Sequence, residues 1–213
     1  DWIQRQGLMA VKLAQIFALR PDLVGEEKCR QLQQLYQHAA SIPPENWEQT
    51  LKNKAIPNFF DHFETIDKNP LAAASVGQVH RAKLKNGEEV VIKFVKQANA
   101  EKFRSEVNRM RSWLRIFLFL SPRLRKVGNP MALLNHVADY TTRELDLRNE
   151  ISGAEELAQI QAKISPDFPT PLLRFPKYYP ELSNENVLVS EYIKGISLEE
   201  GIERKSLEWE TLL

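Results

Sequence analysis

Apolar residues recur with helical spacing in the first quarter of the chain. The pattern predicts a helix within residues 2–20, which Pro21 interrupts because proline disfavours helical backbone in the residue before it. Further helices are predicted in "GEEKCRQLQQLYQHA", residues 25–39, and around residues 45–54. The N-terminal region is therefore predicted to be helical, and "AIPNFFDHFETID" after it, residues 55–67, has the aromatic content of a strand.

The next segment carries the signature of a β-hairpin. In "VHRAKLKNGEEVVIKFVK", two strand-like patterns are joined by Asn86-Gly87, a pair that readily adopts the positive φ angles of a tight turn. Residues 100–126 are predicted to form an amphipathic helix, and residues 132–163 a long helical stretch that is kinked or broken. The last strand candidates are "RFPKYYPEL" and "NVLVSEYIKG". The order predicts helices, then a hairpin, then further helices and strands.

Composition limits the classes of function. The chain has 213 residues, of which 43% are hydrophobic, so it can bury the core of one large or two small domains. A net charge of +1 gives no global attraction to nucleic acid. Cys29 is the one cysteine, which excludes an internal disulfide, and no zinc-ligand spacing is present. Because the chain opens on Asp1 and ends in the helical pattern "LEWETLL", we expect it to be part of a longer protein.

The segment "NPLAAASVGQVH", residues 69–80, places three alanines directly before Ser75, Val76 and Gly77. Alanines favour a helix that these three residues would interrupt, so one interpretation is a helix end followed by a turn. The other is a loop of small residues whose backbone N–H groups approach a phosphate closely, with alanine in place of most of the glycine. The loop alone leaves both interpretations open.

Lys93 lies inside the apolar second strand of the hairpin, where it shares one face with Val91 and Val95. An ammonium with apolar neighbours is costly to bury unless it meets an anion, although a lysine on an edge strand can reach water instead. Protein kinases have the same order of small-residue loop, strand, hairpin and strand lysine, with "V-A-I-K" where this chain has "VVIK". The combination favours a phosphate-binding lysine.

A phosphate-binding lysine of this kind pairs with a carboxylate from a neighbouring helix. The segment "ELDLRNE" offers Glu144, Asp146 and Glu150. On one continuous helix, at about 100° per residue, Asp146 and Glu150 share a face and Glu144 points away from Asp146. The alternative is a solvated acidic face with Arg143 or Arg148 as ion-pair partners.

Together these segments resemble the motifs of the UbiB/ABC1/ADCK atypical kinases, also called AarF-like. The family's alanine-rich loop is similar to "AAASVGQVH", its third-strand lysine to Lys93, and its E-x-D motif with a later glutamate to "ELDLRNE". Its N-terminal K-x-G-Q motif resembles "KLAQ", with Lys12 and Gln15 present and Ala14 in place of the glycine. The segment "VLVSEYIKGISL" is similar to the family's hinge between lobes. The motifs keep the family's order along nearly the whole chain.

The resemblance implies an α+β fold: a protein kinase-like N-lobe with a small antiparallel sheet and helices, preceded by a helical extension, without the C-lobe. The implied domains are the extension at 1–56, the N-lobe with a helical insertion at 57–195, and the start of the C-lobe at 196–213. The implied nucleotide-binding residues are Ala72, Ala73, Ala74, Ser75, Val76, Gly77, Lys93, Glu150, Glu191, Tyr192 and Ile193.

The resemblance also implies roles. Lys93 would contact the nucleotide phosphates and pair with Glu150, while the hinge at 191–193 would receive the adenine through backbone hydrogen bonds. Lys12 and Gln15 would lie near the nucleotide, and Glu144 and Asp146 would hold the extension in place. The implied activity is ATP binding with hydrolysis or phosphorylation of a small or lipid-like molecule, in ubiquinone or other isoprenoid-lipid metabolism, on the cytoplasmic side and peripheral to a membrane.

Kinases also need a catalytic-loop aspartate and asparagine and a D-F-G motif after the hinge, to hold magnesium. The chain contains none of them, since "DFP" at Asp167–Pro169 lacks the glycine and precedes the hinge. We therefore expect the Mg²⁺ ligands downstream of residue 213 and no catalytic residue or metal ligand within these residues. The alternative is a nucleotide-binding pseudokinase.

Two readings outside the kinase class remain. "AASVG" approximates the nucleophile elbow G-x-S-x-G around Ser75, but that elbow must connect a strand to a helix, and here a strand follows.

The second alternative is a membrane or lipid adaptor. The segment "RMRSWLRIFLFLSPRLRK", residues 109–126, has an apolar middle with arginines around it and would suit an adaptor on an isoprenoid lipid or an anionic membrane surface. Because "IFLFL" is apolar all round, the sequence favours a helix packed in the core over a membrane-surface helix.

Overall fold

A computed structural model of the chain describes residue 3 and residues 6–37, 42–96, 100–121, 129–164, 174–196 and 200–201. The described helices are α1 (Leu8–Ala18), α2 (Pro21–Val24), α3 (Glu26–Gln37), α4 (Trp47–Lys52), α5 (Ala100–Leu120), α6 (Pro130–Glu144) and α7 (Arg148–Ile164). Single 3₁₀ turns occupy Phe59–His62 and Pro180–Leu182. The helices predicted in the N-terminal region are present, and Gly25, with φ of +83°, separates α2 from α3.

The strands form one antiparallel sheet. They are β1 (Phe63–Ile66), β2 (Ala72–Ala73), β3 (Gly77–Leu84), β4 (Glu89–Val95) and β5 (Val187–Glu191). The order is β1-β3-β4-β5, and β2 also pairs with β3. The predicted hairpin joins β3 to β4, with Gly87 at φ +90° as expected of its turn.

One face of this sheet carries a continuous apolar core. Val90, Ile92 and Phe94 of β4 are fully buried and pack with Trp47 and Leu51 of α4. Alternate residues of a strand point to opposite faces, so Val91, Lys93 and Val95 lie on the other face, as the sequence predicts. The sheet therefore presents Lys93 away from this core.

Two buried polar side chains, Gln78 and His80, lie within that core. The His80 ring stacks between Trp47 and Phe94, with ring centroids at 4.7 Å and 5.6 Å. His80 Nδ1 lies 2.7 Å from the carbonyl oxygen of Asp67, so it must donate, and Nε2 accepts from the Gln78 amide at 2.7 Å. The ring is thus held neutral, and burial lowers its pKa.

The second core is helical and gathers α1, α5, α6 and the start of α7. Met9, Val107, Leu134 and Leu147 pack together there with Leu188 of β5. Leu188 lies opposite Lys93 in the ladder between β4 and β5. The helical half therefore sits against the sheet face that carries the lysine.

One predicted strand is replaced by other structure, and one predicted helix break is present. "RFPKYYPEL" forms a single bridge from Tyr178 to Ser190 followed by a 3₁₀ turn, so the strand prediction is wrong there. Pro176 and Pro180 explain this, since proline cannot donate to a strand ladder. The predicted break in 132–163 lies at residues 145–147, between α6 and α7.

Candidate functional site

The candidate site is built around Lys93 on β4. Its ammonium forms an ion pair with Glu150 in the first turn of α7. The two side chains are 35% and 42% exposed, so the pair is open to solvent on one side. Glu150 is also favoured by its position, because the N-terminal turn of a helix attracts negative charge.

The break before α7 is what brings Glu150 to the sheet. The N–H of Leu147 donates to the carbonyl oxygen of Glu185 at 2.9 Å, just before β5 begins. The Leu147 side chain is buried in the helical core. These two contacts anchor the start of α7 beside β5, one strand away from Lys93, which a continuous helix from α6 would not do.

The small-residue loop lies next to the lysine. Ala72 and Ala73 pair with Val79 and Gln78, and the N–H of Ala74 donates to the carbonyl oxygen of Gly77 at 2.9 Å. The segment is therefore a tight hairpin, and a helix end is excluded. A nucleophile elbow is excluded as well, because Ser75 connects two antiparallel strands.

Gly77 allows the close approach of this hairpin to Lys93. A Cβ atom at Gly77 would lie 3.3 Å from the carbonyl oxygen of Phe94 and 3.6 Å from Cε of Lys93. A side chain would thus fill the space beside the lysine. The lack of one leaves a cradle bounded by the hairpin and the ammonium.

Helix α1 reaches this site with both of its motif residues. Gln15 Nε2 donates to Oγ of Ser75 in the hairpin at 3.5 Å. Lys12 forms an ion pair with Glu144 at the end of α6, and these side chains are 13% and 31% exposed. Three residues apart on one helix face, Lys12 and Gln15 connect α1 to the loop and to the helical insertion.

The contact that fixes the start of α1 was not predicted from the sequence. Gly7 precedes α1 with φ of +102°, and a Cβ there would overlap the Glu106 carboxylate of α5. That carboxylate accepts from the N–H of Met9 at 3.4 Å. A glycine before a helix was the available signal, but nothing in the sequence identified Glu106 as its partner.

Asp146 does not share the contact of Glu144. Its carboxylate accepts from Arg148, from Nε at 2.9 Å and from Nη2 at 2.7 Å, and this hydrogen bonding lowers the pKa of Asp146. The prediction of a common helical face with Glu150 is wrong, because Asp146 lies in the break between α6 and α7. Asp146 thus pairs locally, as the alternative interpretation held, and of these two carboxylates only Glu144 contacts the extension within the described residues.

The hinge candidate, residues 191–193, ends β5. The N–H of Glu191 donates to the carbonyl oxygen of Lys177 at 2.8 Å, and that of Tyr192 to Glu89 at 3.0 Å. Within the described residues, the Ile193 N–H has no such partner. Of the three predicted backbone donors, Ile193 is therefore the one left for a ligand.

Two further side chains of this region were missed by sequence reasoning. The guanidinium of Arg81 stacks 4.4 Å from the Tyr192 ring centroid and pairs with Glu89, whose pKa this hydrogen bond lowers. Burial, reinforced by the charge of Glu150, raises the pKa of Tyr178. Tyr192 and Glu150 are distant in sequence from Arg81 and Tyr178, so the spacing of residues along the chain does not reveal these contacts.

The structure thus brings Lys93, Glu150 and the 72–77 hairpin together, with Lys12 and Gln15 on the adjoining helix. Among the described residues, no cluster of three or more acidic, histidine or cysteine side chains is arranged to hold a metal ion. "DFP" at 167–169 lies outside the described residues.

The end of α5 differs from its prediction. Leu118 alone of "IFLFL" is buried, and Phe119 is 77% exposed. The expectation of a helix packed in the core is therefore wrong for this turn, since one apolar side chain in five packs inward. Exposed with Phe119 are Trp113, Ile116, Phe117 and Leu120, which we call the α5 apolar end. No helix in the described part of the chain is both long and apolar enough to span a bilayer.

Comparison with known proteins identifies the family. Residues 34–211 match the ABC1 atypical kinase-like domain. A Pseudomonas paraeruginosa protein described as "Probable protein kinase UbiB" is 31% identical over 198 residues, covering 91% of this chain and 35% of that protein. The "AarF domain-containing protein kinase 1" of Xenopus laevis is 30% identical over 185 residues, covering 87% of this chain and 34% of that protein. The chain thus spans about a third of the length of these relatives.

A solved structure supports the fold. Rv3197 of Mycobacterium tuberculosis, determined in complex with erythromycin, aligns with a TM-score of 0.57 at 24% identity, covering 90% of this chain and 45% of that chain. The predicted kinase-like fold, with a small antiparallel sheet and helices, is confirmed. From the matched domain and its relatives, the chain belongs to the ABC1 atypical kinase-like family.

Proposed function

We propose that this part of the protein binds the phosphates of ATP at Lys93. The observation that carries the proposal is the open ion pair between Lys93 and Glu150 beside the 72–77 hairpin. An ammonium held by one carboxylate, on a side chain about one-third exposed to solvent, has donors left for an anion. In kinases the corresponding lysine–glutamate pair places the lysine on the nucleotide phosphates.

The residues present fit a triphosphate nucleotide. The Gly77 cradle leaves room beside the ammonium for a phosphate, and the Ile193 N–H supplies a hinge donor for a base. Gln15 contacts the hairpin from α1, and Lys12, three residues before it on the same helix, pairs with Glu144. Magnesium would neutralise phosphate charge when bound, with ligands that we place downstream of residue 213.

The family suggests the class of reaction. We propose that the full-length protein hydrolyses ATP or phosphorylates a small or lipid-like molecule, in support of ubiquinone or other isoprenoid-lipid metabolism. The UbiB name of the relatives supports this assignment. Phosphorylation of protein substrates fits less well, because α1 is tied through Gln15 and Lys12 beside the nucleotide loop.

Thermal shift with MgATP tests the binding proposal in the full-length protein. Lys93→Ala should abolish most of the rise in Tm that MgATP gives. At a fixed ligand concentration, a ligand that binds the folded protein with lower affinity stabilises it less. Lys83→Ala is the matched control, because Lys83 lies on the same sheet face and its ion pair with Glu64 is more exposed. Equal shifts in the wild type and Lys93→Ala would refute the assignment.

A second proposed function rests on a separate observation, the exposed α5 apolar end. Large exposed apolar patches mark interaction surfaces, and the exposed Arg109 and Arg115 near this one favour an anionic membrane surface. The protein would then be peripheral to a membrane. In flotation with phosphatidylglycerol vesicles, the double substitution Phe117→Ser and Phe119→Ser should lower bound protein by about tenfold.

The matched control for flotation is Leu157→Ser with Ile160→Ser, which removes two exposed apolar side chains from α7. This variant should float like the wild type. Equal loss in both variants, or no flotation of the wild type, would refute a membrane contact at the α5 apolar end.

A further inference from the structure

A second concave site lies between α5 and α6, among helices that do not carry Lys93. It is a groove of about 550 Å³, a size typical of small-ligand sites. The lining residues lie on facing helix surfaces, at positions 103, 104, 107, 108 and 111 of α5 and 138, 139, 142 and 143 of α6. Nothing in the nucleotide proposal uses this groove.

The charge of the groove is strongly biased. Arg104, Arg111 and Arg143 line it, against one carboxylate, that of Asp139. Within the described residues none of the three arginines forms an ion pair. Of the other described arginines, Arg81, Arg148 and Arg174 each meet a carboxylate, whereas Arg109 and Arg115 on α5 form no ion pair with described residues but lie outside the groove. Three unpaired guanidinium groups on one concave surface attract anions.

The groove is also held in shape by its own contacts. Arg111 Nε donates to Oδ1 of Asn135 on α6 at 2.9 Å, and Nη1 donates to Oδ1 of Asn108 at 3.5 Å. Behind these polar groups, Phe103, Val107 and Ala138 form a buried apolar floor. The Arg111 guanidinium is thus fixed in place, while the guanidinium groups of Arg104 and Arg143 have no partner among the described residues and can donate to a ligand.

We propose that this groove binds a phosphate-type anion, through Arg104, Arg111 and Arg143. Guanidinium groups match phosphate oxygens with paired donors, and the side-chain NH2 of Asn108 can add a further donor. The phosphate can belong to a free ion or to a lipid headgroup. The site is separate from the proposed nucleotide site and does not require it.

Protection from arginine modification tests the proposal at single residues. The full-length Lys93→Ala protein, which removes the proposed nucleotide-site cation, is treated with phenylglyoxal and mapped by mass spectrometry. One arm adds inorganic phosphate and the other adds dihexanoyl phosphatidylglycerol below its micellar concentration, both at constant ionic strength. Arg104 and Arg143 should react about tenfold more slowly in at least one arm.

Arg20 and Arg30, exposed arginines of the N-terminal region outside the groove, serve as internal controls and should react at unchanged rates. Protection by the lipid at lower concentration than by phosphate identifies a headgroup, and equal protection identifies a free phosphate. Equal protection of groove and control arginines, or none in either arm, would overturn the proposal.

A charge-matched pair of variants gives a second readout. Arg104→Gln with Arg143→Gln should remove the protection at Arg111, whereas Arg20→Gln with Arg30→Gln, which loses the same charge from the protein, should retain it. Equal protection at Arg111 in the two variants would also overturn the proposal that the groove binds an anion. Because nucleotide is absent throughout, failure here leaves the ATP proposal untouched.

Discussion

Two lysine–glutamate pairs join the helices of this protein to its functional region, and they differ in exposure. Lys93 and Glu150 connect the sheet to α7 and are 35% and 42% exposed. Lys12 and Glu144 connect α1 to α6 and are 13% and 31% exposed. The same type of ion pair therefore lies in an open site at Lys93 and between packed helices at Lys12.

The difference in exposure distinguishes an ion pair that can bind a ligand from one that stabilises the fold. An exposed ion pair adds little to stability but can exchange water for a bound anion. A pair that is partly withdrawn from water is costly to disrupt, because the remaining charge loses its partner in a poorly solvated place. We infer that Lys93 serves the ligand and that Lys12 secures α1.

The largest effect is expected where α1 begins. Gly7→Ala should lower the free energy of unfolding by about 3 kcal/mol, because alanine is strained at φ +102° and its Cβ displaces the Glu106 carboxylate. Gly25→Ala is the matched control: φ is +83° there and no heavy atom lies within 4 Å of the added Cβ. It should lose about 2 kcal/mol, for backbone strain alone, because its φ and ψ of +83° and 154° lie in the same region that only glycine adopts readily.

Urea denaturation of the two glycine variants checks this difference. Similar losses of unfolding free energy in the two variants would show that the contact between Glu106 and the start of α1 does not contribute to stability. The Gly7 variant should also weaken the anchoring of Lys12, which follows on the same helix, and leave the Lys93 pair in place.

Removal of Lys12 should have the next largest effect. Lys12→Ala leaves Glu144 without its cation at a site that is two-thirds buried, and should cost about 2 kcal/mol of unfolding free energy. Lys12→Ala combined with Glu144→Ala should recover part of that loss, as a double-mutant cycle would measure. If the two single losses simply add, the pair has no coupling and α1 is held by other contacts.

The sheet that carries Lys93 has a pH dependence of its own, in the ring of His80. Burial lowers its folded-state pKa, so below the ordinary value of about 6.5 the unfolded chain binds a proton that the folded protein does not. Stability should therefore fall as pH drops from 6.5 towards the folded pKa, by at most about 1.4 kcal/mol per pH unit.

The measurement for His80 is the slope of unfolding free energy between pH 7 and pH 5. His80→Gln should be less stable at pH 7, because the stacked ring is lost, yet its slope should be flatter. An unchanged slope in the variant would assign the pH dependence to other groups.

The smallest stability effect is expected at Lys93. Lys93→Ala should change the free energy of unfolding by less than about 1 kcal/mol, since the pair with Glu150 is more than one-third exposed. Urea denaturation next to Lys12→Ala makes the comparison direct. A loss at Lys93 as large as at Lys12 would show that both pairs are structural.

Local chemistry explains what the sequence could predict. The Asn86-Gly87 turn and the alternation around Lys93 are properties of neighbouring residues, so the hairpin and the orientation of Lys93 followed from the sequence. The same holds for α4 and for the helices around Pro21. Motif order then indicated the family, which the domain match confirms.

Contacts between distant residues explain what it could not. A kink or break within 132–163 was predicted, but its position at 145–147 was not, because it depends on the hydrogen bond from the N–H of Leu147 to the carbonyl oxygen of Glu185. Glu106 beneath Gly7, and Arg81 over Tyr192, are likewise tertiary contacts. The exposure of the α5 apolar end was missed because "IFLFL" is apolar on every side, and periodicity cannot then choose the buried face.

The central claim is that the Lys93 ammonium acts on phosphate. Calorimetric affinities of the full-length wild type and Lys93→Ala for ATP and for adenosine test it most directly, because adenosine has the base and ribose but no phosphate. We predict that Lys93→Ala weakens ATP binding by at least about tenfold and leaves adenosine binding unchanged. Unchanged ATP affinity, or an equal loss for both ligands, would contradict the account.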